Sequence, residues 1–319
     1  MLPIGGYFEW EFPANSGSPL HPGSVRLNSA RYALEYILRG FPSLKKIWIP
    51  YFTCEVVLEP LRRLGVQWAF YHINDSLEIE SPVVLRDGEC IVYTNYYGIK
   101  DAYIPQLVEM YGDRLIVDNA QALYCAPVAK HQFYSPRKFV GMPDGGLAVT
   151  DVAFNMEDLP RGFSFERCSH LLKRIDLGAS GAYGDFQKND DSLSAETLSL
   201  MSNLSSRIYD SIDFGRVQND RRKNFEYVHK KLGSLNLLNV PSMESFACPL
   251  VYPYWSDRDD LKKYLIENKI FVATYWPNVF DWCESTDLEY ELAKHVVCFP
   301  IDQRYGEDEM KYIVSLLEV

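Results

Sequence analysis

The chain is expected to be an α/β protein: a large domain with a mostly parallel sheet sandwiched by helices, followed by a smaller C-terminal α/β domain. Short apolar runs at Lys46–Pro50, Val66–His72, Cys90–Thr94, Leu115–Asp118 and Gly146–Thr150 alternate with stretches of helical spacing, the pattern of strands covered on both faces. The 319 residues are 47% hydrophobic and 24% charged, a composition that fills a core of that size and excludes a disordered or repeat-dominated chain. Past residue 150 the pattern changes, with long helical stretches from 196 on and then a second, smaller alternation. The division is set at 1–215 and 216–319, with an N-terminal arm over 1–25.

Residues 13–24 (PANSGSPLHPGS) are rich in Pro, Gly and Ser and read as irregular. Ala30, Ala33, Leu34, Ile37 and Leu38 recur at helical spacing, with Ser29 as N-cap and Gly40 as stop. Thr53–Leu64 reads as a helix closed by Gly65, and Ile104–Tyr111 as another. Residues 176–195 are polar and Gly/Ser-rich, hence a loop or hinge. Helices are expected over 196–213 and 217–232. The small unit then reads strand 248–254, helix 258–268, strand 270–275, helix 287–295, strand 296–300 and helix 306–317. Ligands of such sheets sit beyond the carboxyl ends of the strands, which directs attention to Pro50–Cys54, Asn95–Gly98 and Asp118–Gln121.

A formal charge of −11 opposes a general phosphate-backbone surface, so no nucleic-acid partner is expected. Seven cysteines, odd in number and without a C-x-x-C pair, fit neither a disulfide framework nor a zinc cluster. No apolar run spans a membrane and the first residues lack a signal-peptide pattern, so a cytoplasmic protein is expected. Dinucleotide, P-loop, zinc-hydrolase and serine-esterase motifs are missing, and the six histidines show no metal-ligand spacing. Asp220–Lys223 (DRRK) reads as a solvated helix face.

Asp118 ends an apolar strand, where a carboxylate needs a partner. Twenty residues on comes Lys138, followed by Gly145-Gly146 entering another apolar run. An acid at a strand end, a lysine on a loop and a helix start at Ser29 are the parts that pyridoxal phosphate requires. The acid keeps the pyridine nitrogen protonated, the lysine forms a Schiff base, and the helix N-terminus holds phosphate. Each part alone has an ordinary structural reading as a cap, a solvated lysine or a plain helix start.

The order of the pieces resembles the DegT/StrS-type sugar aminotransferases, pyridoxal-phosphate enzymes of the aspartate-aminotransferase fold (fold type I). The resemblance is carried by Asn28-Ser29-Ala30, Ile49-Pro50-Tyr51-Phe52-Thr53, Asn95-Tyr96-Tyr97-Gly98, Asp118-Asn119-Ala120-Gln121-Ala122, and Lys138 with Pro143-Asp144-Gly145-Gly146. In the tail it is carried by Arg221-Arg222, Tyr275-Trp276-Pro277 and Val297–Ile301. It implies that Lys138 is the Schiff-base lysine, Asp118 the pyridinium partner and Gln121 a neighbour of the phenolic oxygen. It also implies that Asn28, Ser29, Ala30 and Ser135 lie at the phosphate, and that Cys54 stands where the family stacks an aromatic on the ring. Tyr97, Arg137 and Tyr275 are candidates for the substrate side. Arg31, Arg137, Lys173, Arg174 and Arg207 are candidate cations for a diphosphate-linked substrate.

The resemblance further implies a homodimeric aminotransferase that takes glutamate as amino donor and aminates a keto group on a nucleotide-linked sugar for surface glycans. The chain departs from the family at Cys54, at Phe133, which stands two positions before Ser135 where the family's usual phosphate serine lies, and in two longer stretches. The segment between Asp118 and Lys138 is short, and the family's G-Y-N-Y-R stretch, which reaches the partner subunit, is replaced by Ala195–Ser199. These departures keep open a non-catalytic relative acting as a binding or regulatory subunit. A dehydratase of the same family is disfavoured because a histidine replaces the lysine there.

Overall fold

The computed structural model describes residues 6–13, 19–152 and 158–317. Its central sheet has seven strands in the order β1-β7-β6-β5-β4-β2-β3. These are β1 Val25–Leu27, β2 Lys46–Pro50, β3 Gln67–Tyr71, β4 Glu89–Thr94, β5 Leu115–Asn119, β6 His131–Tyr134 and β7 Gly146–Val149. Strands β3, β2, β4, β5 and β6 run parallel, while β7 and β1 are antiparallel to their neighbours. The chain steps outward from β2 to β3, then returns to place β4 on the other side of β2. That reversal opens a crevice at the carboxyl ends of the strands.

Two helices of the first half, α1 (Ala30–Arg39) and α2 (Leu58–Leu64), cover one face of the sheet, where Ile47, Ile49, Val92, Ile116 and Phe133 are buried. Leu115 and Val117 point to the other face, shared with α3 (Ile104–Tyr111) and the C-terminal half. Because side chains alternate along a strand, Asp118 falls on the face of Ile116 and Asn119 on that of Val117.

Most expected elements are present with ends shifted by a few residues, but three readings need correction and one strand goes unread. Residues 176–195 are not a loop: α4 runs Ser169–Ser192, broken only at Gly178, where φ is +71°. Its last turns are held by Asn189 donating to the Pro143 carbonyl (3.0 Å) and by Arg137 against Asp190 (3.3 Å), tertiary anchors that composition does not reveal. The helix expected over 196–213 begins only at α5 (Asn203–Ser211), where the Ser202 hydroxyl accepts from the Ser205 N–H. Residues 270–275 are not a strand, because among the described residues the second sheet has only β8 (Tyr252–Trp255) and β9 (Val296–Phe299), paired with each other. Strand β6 is not legible as an apolar run because it carries His131 and Gln132, both buried and both bonded. Of the irregular stretch 13–24, residues 14–18 lie outside the described residues, and 19–24 contain neither helix nor strand. The C-terminal half is completed by α6 (Phe214–Leu232), α7 (Leu261–Glu267), α8 (Val279–Trp282), α9 (Leu288–His295) and α10 (Glu307–Ser315).

Candidate active site

The buried acid at the end of β5 is the centre of the site. Asp118 is buried, and its Oδ1 accepts the Ala120 N–H at 2.8 Å. Burial pushes its carboxyl up from the ordinary value, while the Lys138 ammonium and that N–H act in the opposite direction. Behind it, on the other face, a chain of buried amides fixes the strand ends. Asn95 donates to Asn119 (3.0 Å), and Asn119 donates to Gln132 (2.8 Å). A hydrogen-bonded amide ladder of this kind holds neighbouring strand ends in register without placing charge in the core.

Lys138 lies at the end of the short turn Pro136–Lys138 that follows β6, with its side chain exposed. The turn closes on itself, since the N–H groups of Lys138, Phe139 and Val140 bond to the carbonyls of Ser135 and Pro136. Ser135 is buried there. Cys54, at the end of the β2 loop, is half-buried. Burial pushes its thiol up, and the charges of Lys138, Asp118 and Arg31 all act on it. Arg31 belongs to the first turn of α1, so one thiol feels the charges of the acid, the lysine and this arginine together.

At that helix start, Ser29 has an extended backbone and occupies the N-cap position. Its hydroxyl does not cap the helix, however, and is buried without a partner. A buried hydroxyl left unpaired is costly, and here it stands beside the unbonded N–H groups of a helix N-terminus. Asn28 is engaged otherwise: its amide donates to the Thr197 carbonyl (2.9 Å) and accepts from the Ser199 N–H (3.3 Å). Ala30 is the first helical residue. The cradle exists because Gly146 packs against it. A Cβ at Gly146 would stand 2.2 Å from the Ser29 carbonyl carbon and 2.4 Å from the Ala30 nitrogen. Gly146→Ala is therefore expected to cost about 2–3 kcal/mol of stability, read as a lower urea midpoint.

Gln121 is buried, and its Oε1 accepts the Tyr97 N–H at 2.7 Å, which leaves Nε2 buried and unpaired. Tyr97 has φ +56°, in the left-handed region, a strained position for a bulky residue. Its carbonyl accepts from Leu250, and its ring lies 6.2 Å from that of half-buried Tyr275. Burial pushes both phenols up.

Of the candidate cations, Arg31 and Arg137 are close enough for their charges to act on one another. Arg31 pairs with Glu59 (2.8 Å) and donates to Ser194 (2.6 Å). Arg137 contacts Asp190, and its Nε is buried and unpaired. Lys173 pairs with Asp185 along α4, Arg207 pairs with Glu9, and Arg174 is exposed on α4.

Two features of the site are not legible in the sequence. Asp144 is fully buried and accepts from the Ser202 N–H and from the Ser202 and Ser205 hydroxyls, tying the Gly145-Gly146 turn to α5. Arg221 is not on a solvated face: it is 2% exposed. Val217, Arg221, Asn224, Phe225 and Val228 are all buried at helical spacing along α6, so the 3.6-residue period carries a signal that the charge run Asp220–Lys223 conceals.

No family model matches this chain, and no curated protein does. Solved structures do. DesI, crystallised in the presence of its TDP-sugar product, is 17% identical, with a TM-score of 0.66 over 92% of this chain and 79% of its own. DesV of S. venezuelae, in complex with a ketimine intermediate, is 15% identical, with a TM-score of 0.63 over 92% and 83%. A DegT DnrJ EryC1 StrS aminotransferase from Brucella abortus is 13% identical, with a TM-score of 0.59 over 92% and 84%. The chain therefore has the fold of these aminotransferases, over nearly its whole length.

Proposed function

We propose that this chain is a pyridoxal-phosphate-dependent sugar aminotransferase of the DegT/StrS type. The observation that supports it most is that Ser29 Oγ, at the start of α1, and Gln121 Nε2 are buried and unpaired, while the charges of buried Asp118, exposed Lys138 and Arg31 act on one thiol, Cys54. Those two atoms are what a phosphate and a phenolic oxygen would satisfy. When bound, pyridoxal phosphate supplies an electron sink for bond cleavage at an amino acid's α-carbon.

The residues divide the work by chemistry. Asp118, as a carboxylate, holds a proton on a facing ring nitrogen. Lys138 Nζ would hold the cofactor and, as a free amine, would take up and return a proton. Ser29 Oγ and the first-turn N–H groups of α1, from Ala30 on, would receive the phosphate, with Ser135 a further candidate donor. Gln121 Nε2 would donate to the phenolic oxygen, and Cys54 would line the place of the ring. Tyr97, Tyr275 and Arg137 face the acceptor, for which we propose a keto sugar linked to a nucleotide diphosphate, with glutamate as donor. DesI, crystallised with a TDP-sugar product, supports that substrate class. We further propose a cytoplasmic homodimer, with a large domain 1–215 and a small domain 216–319. No helix among the described residues is long and apolar enough to cross a membrane.

One observation favours the second reading, a non-catalytic binding subunit. The segment Ala195–Ser199 folds onto its own chain, with its Thr197 and Ser199 backbone bonded to Asn28.

The deciding measurement is absorbance with added pyridoxal phosphate, before and after glutamate, followed by borohydride reduction and peptide mapping. A near-visible band that glutamate bleaches, and that reduction fixes onto Lys138, is the expected result. A folded protein that shows no band sinks the enzyme and leaves the binding subunit.

A further inference from the structure

Arg221 is a buried cation that pairs with no carboxylate among the described residues. Its Nη1 donates to the Leu250 carbonyl (2.9 Å), its Nη2 to the Phe139 carbonyl (3.3 Å) and its Nε to Gln303 Oε1 (3.0 Å). Gln303 in turn donates from Nε2 to the same Phe139 carbonyl at 2.8 Å. The guanidinium also stands 4.7 Å from the centroid of the Phe139 ring. A charge buried this deeply is expensive unless its donors are satisfied, and here one donor is spent on the Phe139 carbonyl, next to Lys138, and another on the glutamine that bonds the same carbonyl.

The far end of the same link reaches Gln121. The Leu250 N–H bonds to the Tyr97 carbonyl (2.8 Å), and the Tyr97 N–H bonds to Gln121. Gly98 lets these segments meet, since a Cβ there would lie 2.6 Å from the Gln121 carbonyl oxygen and 2.8 Å from that of Cys248. The Lys138 turn spends its own N–H groups internally, and the C-terminal half bonds to it at the Phe139 carbonyl, beside the packing of Phe139 and Val140 with Val217 and Leu250.

We propose that Arg221 and Gln303 are positioning residues: by clamping the Phe139 carbonyl they make the C-terminal half set the placement of Lys138 relative to Asp118 and Gln121. The proposal rests on the functional reading above. Neither residue touches the reacting atoms; both act through the turn.

Arg222 provides an internal control. It is the next residue on the same helix and also bonds three carbonyls, those of Met243, Phe246 and Ala247, none of them in the Lys138 turn. The test compares Arg221→Gln, Gln303→Leu and Arg222→Gln in the full chain. In the unloaded protein, amide hydrogen exchange of the peptide spanning 135–142 is expected to rise about tenfold in the first two variants and to stay unchanged in the third. After loading with pyridoxal phosphate, the induced circular dichroism of the near-visible band is expected to fall by half or more in the first two only. A general loss of stability would not produce that pattern below the melting temperature.

If Arg221→Gln does not fold, Gln303→Leu, which removes the Gln303 bonds from a half-buried side chain, carries the comparison. Equal behaviour of the Arg221 or Gln303 variants and the Arg222 variant overturns the proposal, as does faster exchange with unchanged dichroism. A wild-type protein without a lysine-dependent band overturns the functional reading and the clamp's role together, a result distinct from either of these.

Discussion

Lys138→Ala is expected to abolish the glutamate half-reaction, lowering its rate by ~10^3–10^4-fold or more, while leaving the fold intact. The size of the effect follows from the surroundings. Lys138 is the lysine whose charge acts on both Asp118 and Cys54, whereas Lys100 and Lys130 are held by Glu78 and Asp113. The side chain is exposed, so its truncation should lower unfolding free energy by no more than about 1 kcal/mol, through the loss of its attraction to Asp118. Single-turnover absorbance with glutamate reads the first quantity and urea unfolding the second. A variant that keeps the half-reaction would remove Lys138 from the chemistry.

Asp118→Asn is expected to separate stability from activity. Turnover should fall at least ~100-fold, because a neutral amide cannot hold a proton on a facing ring nitrogen. The unloaded protein, by contrast, should become more stable at pH 7. The folded-state carboxyl is raised above its unfolded value by burial, so wild-type stability falls as pH rises from about 3.9 through the raised value. Asparagine has no charge to bury and escapes that loss, while its Oδ1 still accepts the Ala120 N–H. The gain should therefore be present at pH 7 and vanish below about pH 4, where the wild-type carboxyl becomes protonated in both states. Thermal melts of the unloaded protein on either side of that range check it. A variant less stable at pH 7 would mean that the Lys138 attraction outweighs the cost of burial.

The legible parts of the site are those written as local pattern. Asp118 closes an apolar run, and a strand end in a parallel sheet is where a ligand crevice forms. Lys138 precedes a double glycine, and Gly146 is required because its Cα lies against the Ser29 backbone. Ser29 stands at the helix start as its pattern predicts, but its hydroxyl leaves α1 uncapped and is unpaired. That difference is invisible in one dimension, since capping and ligand binding call for the same residue. Asn28 fits a phosphate site by pattern, yet its side chain is spent on Thr197 and Ser199, partners from a distant part of the chain whose approach only the fold creates.

The sequence alone determined the class of fold, the main sheet's parallel strands and the acid, lysine and helix start, because each depends on periodicity or on residues close in the chain. The tertiary structure alone decided that α4 is helical, that the polar strand β6 lies inside the sheet, and that Arg221 is buried against the Lys138 turn. Each of these is stabilised by hydrogen bonds between distant segments, such as Asn189 to Pro143, Asn119 to Gln132 and Arg221 to Phe139. A polar side chain reads as solvent-facing until the partner that satisfies it in the interior is known.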